Sequence, residues 1–464
     1  MSLPPVLARI DADLNKSMDR LMDLLRIPSI STDPAFRDDC QKAADWLVAD
    51  LISLGAQASK RQTPGHPMVV GHITPPQSAN KPHLLFYGHY DVQPVDPLDL
   101  WDRDPFDPAI EETEKGKVIR ARGACDDKGQ LMTFVEACRA WIAEHGELPC
   151  KITFFFEGEE ECGSPSLIPF MKENKDEITA DIALICDTGL FDSRVPAITT
   201  MLRGLLGEEI TITGPNKDLH SGLYGGASIN PIRVLSRILA SLHDENGRIT
   251  VPGFYEGVPD LSDDLKRQWE ALGFDHKAFL GGVGLNTLAG EKGYSALEML
   301  WSRPTCEING IKGGYTGDGF KTVLPSHASA KISFRLVGQQ DPVEIRKNLR
   351  RMIEGMLPPD CSVSYKSHGS SGGIVMSSEA PAFEAARQAL SDEWPDEAAF
   401  IGSGGSIPIA GFFQDITGVD PILIGFGKDD DQLHSPNEKY DVESFHKGMR
   451  SWARVLDALS RLET

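Results

Sequence analysis

The eight cysteines include no Cys-x-x-Cys pair; they stand singly at positions 40, 125, 138, 150, 162, 186, 306 and 361. That excludes a thiolate zinc cage and a dense disulfide framework, and it fits reduced thiols in a cytoplasm. Basic residues are also scarce: 46 against 68 acidic ones leaves a formal charge of −22. Neither nucleic acid nor an anionic membrane is an expected partner, since both require a cationic face that displaces counterions. No apolar run approaches the roughly 20 residues that cross a bilayer. The first ten residues hold two prolines and an arginine instead of a basic segment leading into an apolar one, so no secretory signal is expected. Internal repeats and low-complexity tracts are missing too. What remains is 464 residues of ordinary globular composition, enough for two or three domains with a large core.

Leu7, Ile10, Leu14, Met18, Leu21, Met22 and Leu25 recur at helical spacing before Pro28 stops the pattern, which predicts an amphipathic opening helix. Short apolar runs at 84–88, 152–156, 182–186 and 421–426 read as buried strands, with a helical pattern over 129–145 among them. Alternating strands and helices predict an α/β layered domain. From about residue 205 the order becomes strand (208–213), helix (231–243), a long irregular stretch, strands (306–311 and 328–337), helix (342–356) and strand (361–366). That β-α-β-β-α-β order is the ferredoxin-like arrangement, here inserted into the α/β domain. The expected organisation is 1–204 and 370–464 as the outer domain and 205–369 as the insert.

Each apolar strand of the outer domain leads to a metal-competent residue: His89 and Asp91, then Glu160 and Glu161, then Asp187, then His434. Ligands of open α/β sheets bind beyond the carboxyl ends of the strands, so residues 350 positions apart can meet in one crevice. His89 and Asp91, two apart in an extended segment, share a side, which lets Asp91 hold the second ring nitrogen of His89. Asp126 and Asp127 precede a helix, where either could serve as a plain N-cap. Glu160 cannot easily join Glu161 on one metal because consecutive side chains diverge; it is free to take a proton, unless the acidic run 157–161 is only solvated surface.

The pieces His89-Tyr90-Asp91, Asp126-Asp127-Lys128-Gly129, Glu157 to Ser164, Asp187, His220-Ser221-Gly222 and Leu433 to Glu438 together resemble the co-catalytic zinc metallopeptidase family of carnosine and non-specific dipeptidases, glutamate carboxypeptidase, aminoacylase and succinyl-diaminopimelate desuccinylase. The resemblance spans most of the chain. It implies a mixed-sheet, zinc-exopeptidase-like α/β catalytic domain carrying a ferredoxin-like α+β domain used for dimerisation or as a lid. It further implies two divalent ions: His89 and Asp187 on one, Glu161 and His434 on the other, Asp126 bridging, with a cis peptide after Asp126. Three carboxylates supply −3 against +4, and the mixed imidazole and carboxylate set suits zinc while tolerating manganese or cobalt. Cys125 and Cys162, which flank ligands, are expected to be packed thiols.

By the same resemblance Glu160 is the general base; Glu159 is the next candidate only should Glu160→Gln stay active. His220 stabilises the oxyanion in the site of the other subunit of a homodimer. Arg335 and Ser406 bind the substrate's terminal carboxylate, although Arg335 could equally be a strand-end salt bridge. The expected activity is hydrolysis of dipeptides or similar carboxylate-bearing amides by an activated water. Two alternatives share the fold: an N-acyl amino-acid deacylase or desuccinylase, and a non-catalytic binding protein.

Overall fold

The computed structural model describes residues 1–405 and 407–463, so Ser406 lies outside the described residues. The chain forms two compact units: Met1–Thr200, Met376–Phe400 and Ile409–Thr464 make the first, and Met201–Val375 with Ile401–Pro408 make the second.

The first unit is built on a mixed sheet whose strands run in the order Gln57–Arg61, Met68–Ile73, Lys151–Glu157, His83–His89, Ile182–Ile185, Pro421–Ile424 and Ala197–Leu202. The four strands Lys151–Glu157, His83–His89, Ile182–Ile185 and Pro421–Ile424 are neighbours and mutually parallel. Antiparallel strands flank them. These four are the apolar runs seen in the sequence; Leu84 to Tyr87 are fully buried, as a strand covered on both faces requires. Being parallel and adjacent, they all deliver their following residues to one edge.

The helices Leu3–Leu25, Lys128–His145 and Val442–Leu459 pack on one another, and Lys128–His145 lies against the strand His83–His89. Phe86 stacks on Phe134 with ring centroids 3.8 Å apart and meets Trp452 edge-on at 5.6 Å. Aromatic pairs of this geometry add to the burial of apolar area. One core therefore ties the beginning, middle and end of the chain.

The second unit holds a four-stranded antiparallel sheet in the order Thr305–Gly313, His327–Leu336, Gly204–Thr213, Ser362–Ser371. Burial alternates along Gly204–Thr213 and His327–Leu336, leaving one apolar face. The helices Pro231–Ala240 and Pro342–Gly355 cover it with Val234, Leu235, Ile238, Ile345, Leu349 and Ile353. The element order is the ferredoxin-like one. The stretch read as irregular contains the helices Asp263–Ala271, His276–Gly281 and Ala296–Trp301. These are short and rest on caps, such as the reciprocal Ser295 and Glu298 bonds, more than on an apolar stripe.

Candidate metal centre

His89 closes its strand with a fully buried ring. Nδ1 lies 3.1 Å from the Asp91 carbonyl oxygen and 3.3 Å from Asp91 Oδ1, so it donates and carries the proton. That leaves the Nε2 lone pair aimed outward, buried and without a hydrogen-bond partner. It faces Asp126 Oδ1 at 3.2 Å and Asp187 Oδ2 at 4.0 Å. The other Asp126 oxygen, Oδ2, is 2.9 Å from His434 Nε2, which in turn lies 3.4 Å from Glu161 Oε2. Two donor groups result, His89 with Asp126 and Asp187, and Asp126 with Glu161 and His434, the donor atoms of each lying within 4.8 Å of one another. Asp126 divides its oxygens between them.

The electrostatics ask for cations. Burial, reinforced by the charge of Asp126, pushes the Asp187 carboxyl well above its usual range and Glu161 up to about 8. Burial also raises Glu160. Asp126 would be raised by burial as well, but the hydrogen bond from His434 and the adjacent imidazole of His89 outweigh it and hold it low. An orphaned buried imidazole nitrogen amid carboxylates that burial disfavours as anions fits a pair of divalent ions.

The local structure explains how the donors are aimed. The peptide between Asp126 and Asp127 is cis, as the resemblance implies. Asp127 occupies the cap position of the helix Lys128–His145 yet makes no cap bond; its Oδ2 accepts from His89 N at 3.0 Å. Plain capping is therefore not its role. A Cβ on Gly129 would stand 1.9 Å from the Ala124 carbonyl oxygen, so only glycine closes this turn. Asp91 does more than hold His89, because its Oδ1 and Oδ2 accept from Glu160 N at 3.2 Å and Glu161 N at 3.0 Å. It thereby fixes the short 3₁₀ turn Glu160–Cys162 against the neighbouring strand.

The acidic run is not solvated surface. Glu157 accepts from Tyr87 Oη and Ser164 Oγ, and Glu159 accepts from His66 N at 2.8 Å and Ser166 N at 2.9 Å. Both are buried, whereas the Glu160 carboxylate is bound by no hydrogen bond among the described residues. Cys125 is buried as expected, but Cys162 is exposed, because the turn points it outward with Sγ donating to the Glu159 carbonyl oxygen. Sequence reasoning missed Gln93, whose Nε2 donates to Glu161 Oε2 at 2.6 Å. Its signal was the period-two series 89, 91, 93 on one side of the segment.

His220 and Arg335 belong to the second unit. His220 is exposed on the two-residue strand Leu219–His220, paired with Val323–Leu324, and its Nδ1 accepts from Gly222 N at 3.0 Å. The neutral ring consequently carries its hydrogen on Nε2. Arg335 is half-buried on His327–Leu336, opposite Thr305 and Leu205. Burial and then the charge of Arg335 lower Arg203 to about 10.

Strand-end imidazoles and carboxylates in two groups sharing one aspartate are the arrangement of a two-metal hydrolase. Residues 85–458 match the model of peptidase family M20/M25/M40, and the chain belongs to that family. It is 30% identical to the Cys-Gly metallodipeptidase DUG1 of Saccharomyces cerevisiae, with 99% of this chain and 98% of the relative covered. Human carnosine dipeptidase 1 has a similar structure, with a TM-score of 0.79, 28% identity and 99% of each chain covered. So has an M20 family metallo-carboxypeptidase of Sulfolobus solfataricus, with a TM-score of 0.80, 29% identity and 96% and 99% covered.

Proposed function

We propose that this metallopeptidase hydrolyses dipeptides that end in a free carboxylate, using two zinc ions held by His89, Asp126, Asp187, Glu161 and His434. The observation that carries the reading is the division of the two Asp126 oxygens between two imidazoles. Bound at these residues, the ions supply Lewis acidity toward the scissile carbonyl and toward a water. The absence of thiolate from the donor set supports zinc over a softer metal, with manganese or cobalt as substitutes.

The chain's own residues do the rest. Glu160 belongs to neither donor group, and its backbone is pinned to Asp91. It takes the proton of the attacking water and returns it to the leaving amine. His220, with Nδ1 committed as acceptor, offers Nε2–H to the developing oxyanion. The Arg335 guanidinium pairs with the substrate's terminal carboxylate in a planar, two-point contact that a lysine could not reproduce, and Ser406 assists it. We place His220 in the site of a second subunit; the four-stranded sheet of the second unit, with outer strands Thr305–Gly313 and Ser362–Ser371, supplies the edge for such pairing. This inserted unit would serve as dimerisation domain and lid. A cytoplasmic location is supported by eight cysteines that are all free thiols. No helix among the described residues is long and apolar enough to cross a membrane.

The test is incubation of zinc- and manganese-loaded protein with a mixed library of dipeptides and acyl amino acids, read by mass spectrometry. Dipeptides should disappear first. Consumption of acyl amino acids alone would favour the deacylase reading, and no consumption would favour the binding protein.

A further inference from the structure

Glu438 ends the motif that carries His434 and belongs to neither donor group. Its carboxylate is fully buried and takes four hydrogen bonds. Oε2 accepts from Arg122 Nη1 at 2.7 Å and Gly123 N at 2.9 Å, and Oε1 accepts from Cys125 N at 2.9 Å and Asp126 N at 3.1 Å. The loop that presents Asp126 is thus wrapped around one side chain from the segment that presents His434. The guanidinium of Arg122 extends the clamp. Its Nη2 donates to the Pro94 carbonyl oxygen at 3.1 Å and the Ser435 carbonyl oxygen at 3.4 Å, and it lies 5.3 Å over the Trp101 ring. Pro94 follows Gln93, and Ser435 follows His434. Three donor-bearing segments, 89–94, 122–126 and 434–438, therefore meet on one buried ion pair.

A buried carboxylate gains little net stability from such a pair, since desolvation offsets most of the attraction. Four satisfied bonds in a dry setting do impose one geometry. We propose that Glu438 is a positioning residue for the metal pair: it fixes the backbone of Asp126 so that the shared carboxylate sits between the two donor groups. Residues behind metal ligands typically carry about 10- to 100-fold in metal affinity. Because Asp126 belongs to both groups, disturbing Glu438 must weaken both metals together. Disturbing His434 weakens one.

The inference rests on the two-metal reading, and the test separates the two. The full chain, stripped of metal, is titrated with Co²⁺ and followed by visible absorption, which reports ligand geometry, while circular dichroism at the same temperature reports folding. The parent chain should bind two Co²⁺; one or none overturns the two-metal reading and this inference with it. Glu438→Gln is nearly isosteric but sets an NH₂ against two of the four donors. It should stay folded, lose about tenfold or more at both sites and change the absorption envelope. A parent that binds two ions beside a variant that binds them as tightly, or that weakens at one site only, overturns the role of Glu438 and leaves the two-metal reading standing. Glu136→Gln is the control: that buried carboxylate is held by Arg20 and Ser17 and belongs to neither donor group. It should melt lower with parental Co²⁺ affinities, and an equal loss there would mark the effect as general loosening and overturn the proposal. Should Glu438→Gln not fold, Arg122→Met removes one donor of the four; a smaller loss common to both sites supports the proposal, and unchanged affinities overturn it.

Discussion

Glu160 and Glu161 adjoin in the turn that Asp91 pins, yet only Glu161 belongs to a donor group, which is why different tasks are proposed for them. Glu160→Gln should keep both metals and the fold while losing about 10²–10⁴ in turnover, roughly 3–5 kcal/mol of barrier, since the amide cannot accept the water's proton. Steady-state rates on a cleaved dipeptide, with metal content measured on the same sample, check this; turnover within a few-fold of the parent would remove Glu160 as base. Glu159, the next candidate from the sequence alone, would be a poor replacement, because it is buried, belongs to neither donor group and has its two oxygens accepting from His66 N and Ser166 N. Gln93 gives a second expectation at this scale. Its amide fixes the Glu161 oxygen that faces His434, so Gln93→Leu should weaken one metal by about 10- to 100-fold and leave the other unchanged, the same pattern as His434→Ala. Competition with a chromogenic chelator reads both constants. Equal losses at the two sites would show that Gln93 acts on the fold and not on Glu161.

At the scale of elements, the strand His83–His89 connects the surface to the site. At its head His83 Nε2 meets Thr153 Oγ1 at 2.7 Å, and burial together with the charge of Lys151 lowers its pKa to about 4. In the unfolded chain a histidine titrates near 6.5. Between those values the unfolded state binds the extra proton, so stability is lost as pH falls from about 6.5 toward 4 and is unaffected above that window. His83→Gln should flatten this limb: the melting-temperature difference between parent and variant ought to change below pH 6.5 and stay constant from 6.5 to 8. A constant difference throughout would mean that His83 does not feel its burial.

The same strands explain what could be read in advance. His89, Asp187 and the Glu160–Glu161 pair stood out because an apolar run ends just before each and the runs form the parallel centre of one sheet. The ferredoxin-like order was legible because Gly204–Thr213 and Pro342–Gly355 carry clean periods of two and near four. Glu157, Glu159 and Glu438 were not, since a buried carboxylate is recognised only by donors that come from distant segments. The short helices after residue 260 were hidden by their length: at 9, 6 and 6 residues they span too few turns for a periodic stripe to stand out.

At the scale of the whole molecule, the seven residues that could hold and serve the metals lie in the first unit, while His220 and Arg335 lie in the second. If His220 serves a neighbouring subunit, activity belongs to the dimer, and two inactive proteins can test it. One carries His220→Ala and the other Glu160→Gln; each alone should be nearly inactive. Mixed under conditions of proven subunit exchange, a dimer of one of each has two unequal sites when His220 acts across the boundary. The site built on the Glu160→Gln chain receives the partner's altered histidine position and lacks both groups, whereas the site built on the other chain keeps its own Glu160 and receives an intact histidine. Activity should then return toward half the parental value per mixed dimer. When His220 acts within its own chain, each site still lacks one group and mixing restores nothing. Sedimentation on the same samples decides the remaining premise: a fully active monomer, or proven exchange without recovery, would assign His220 to its own chain and reduce the open sheet edges of the second unit to ordinary surface.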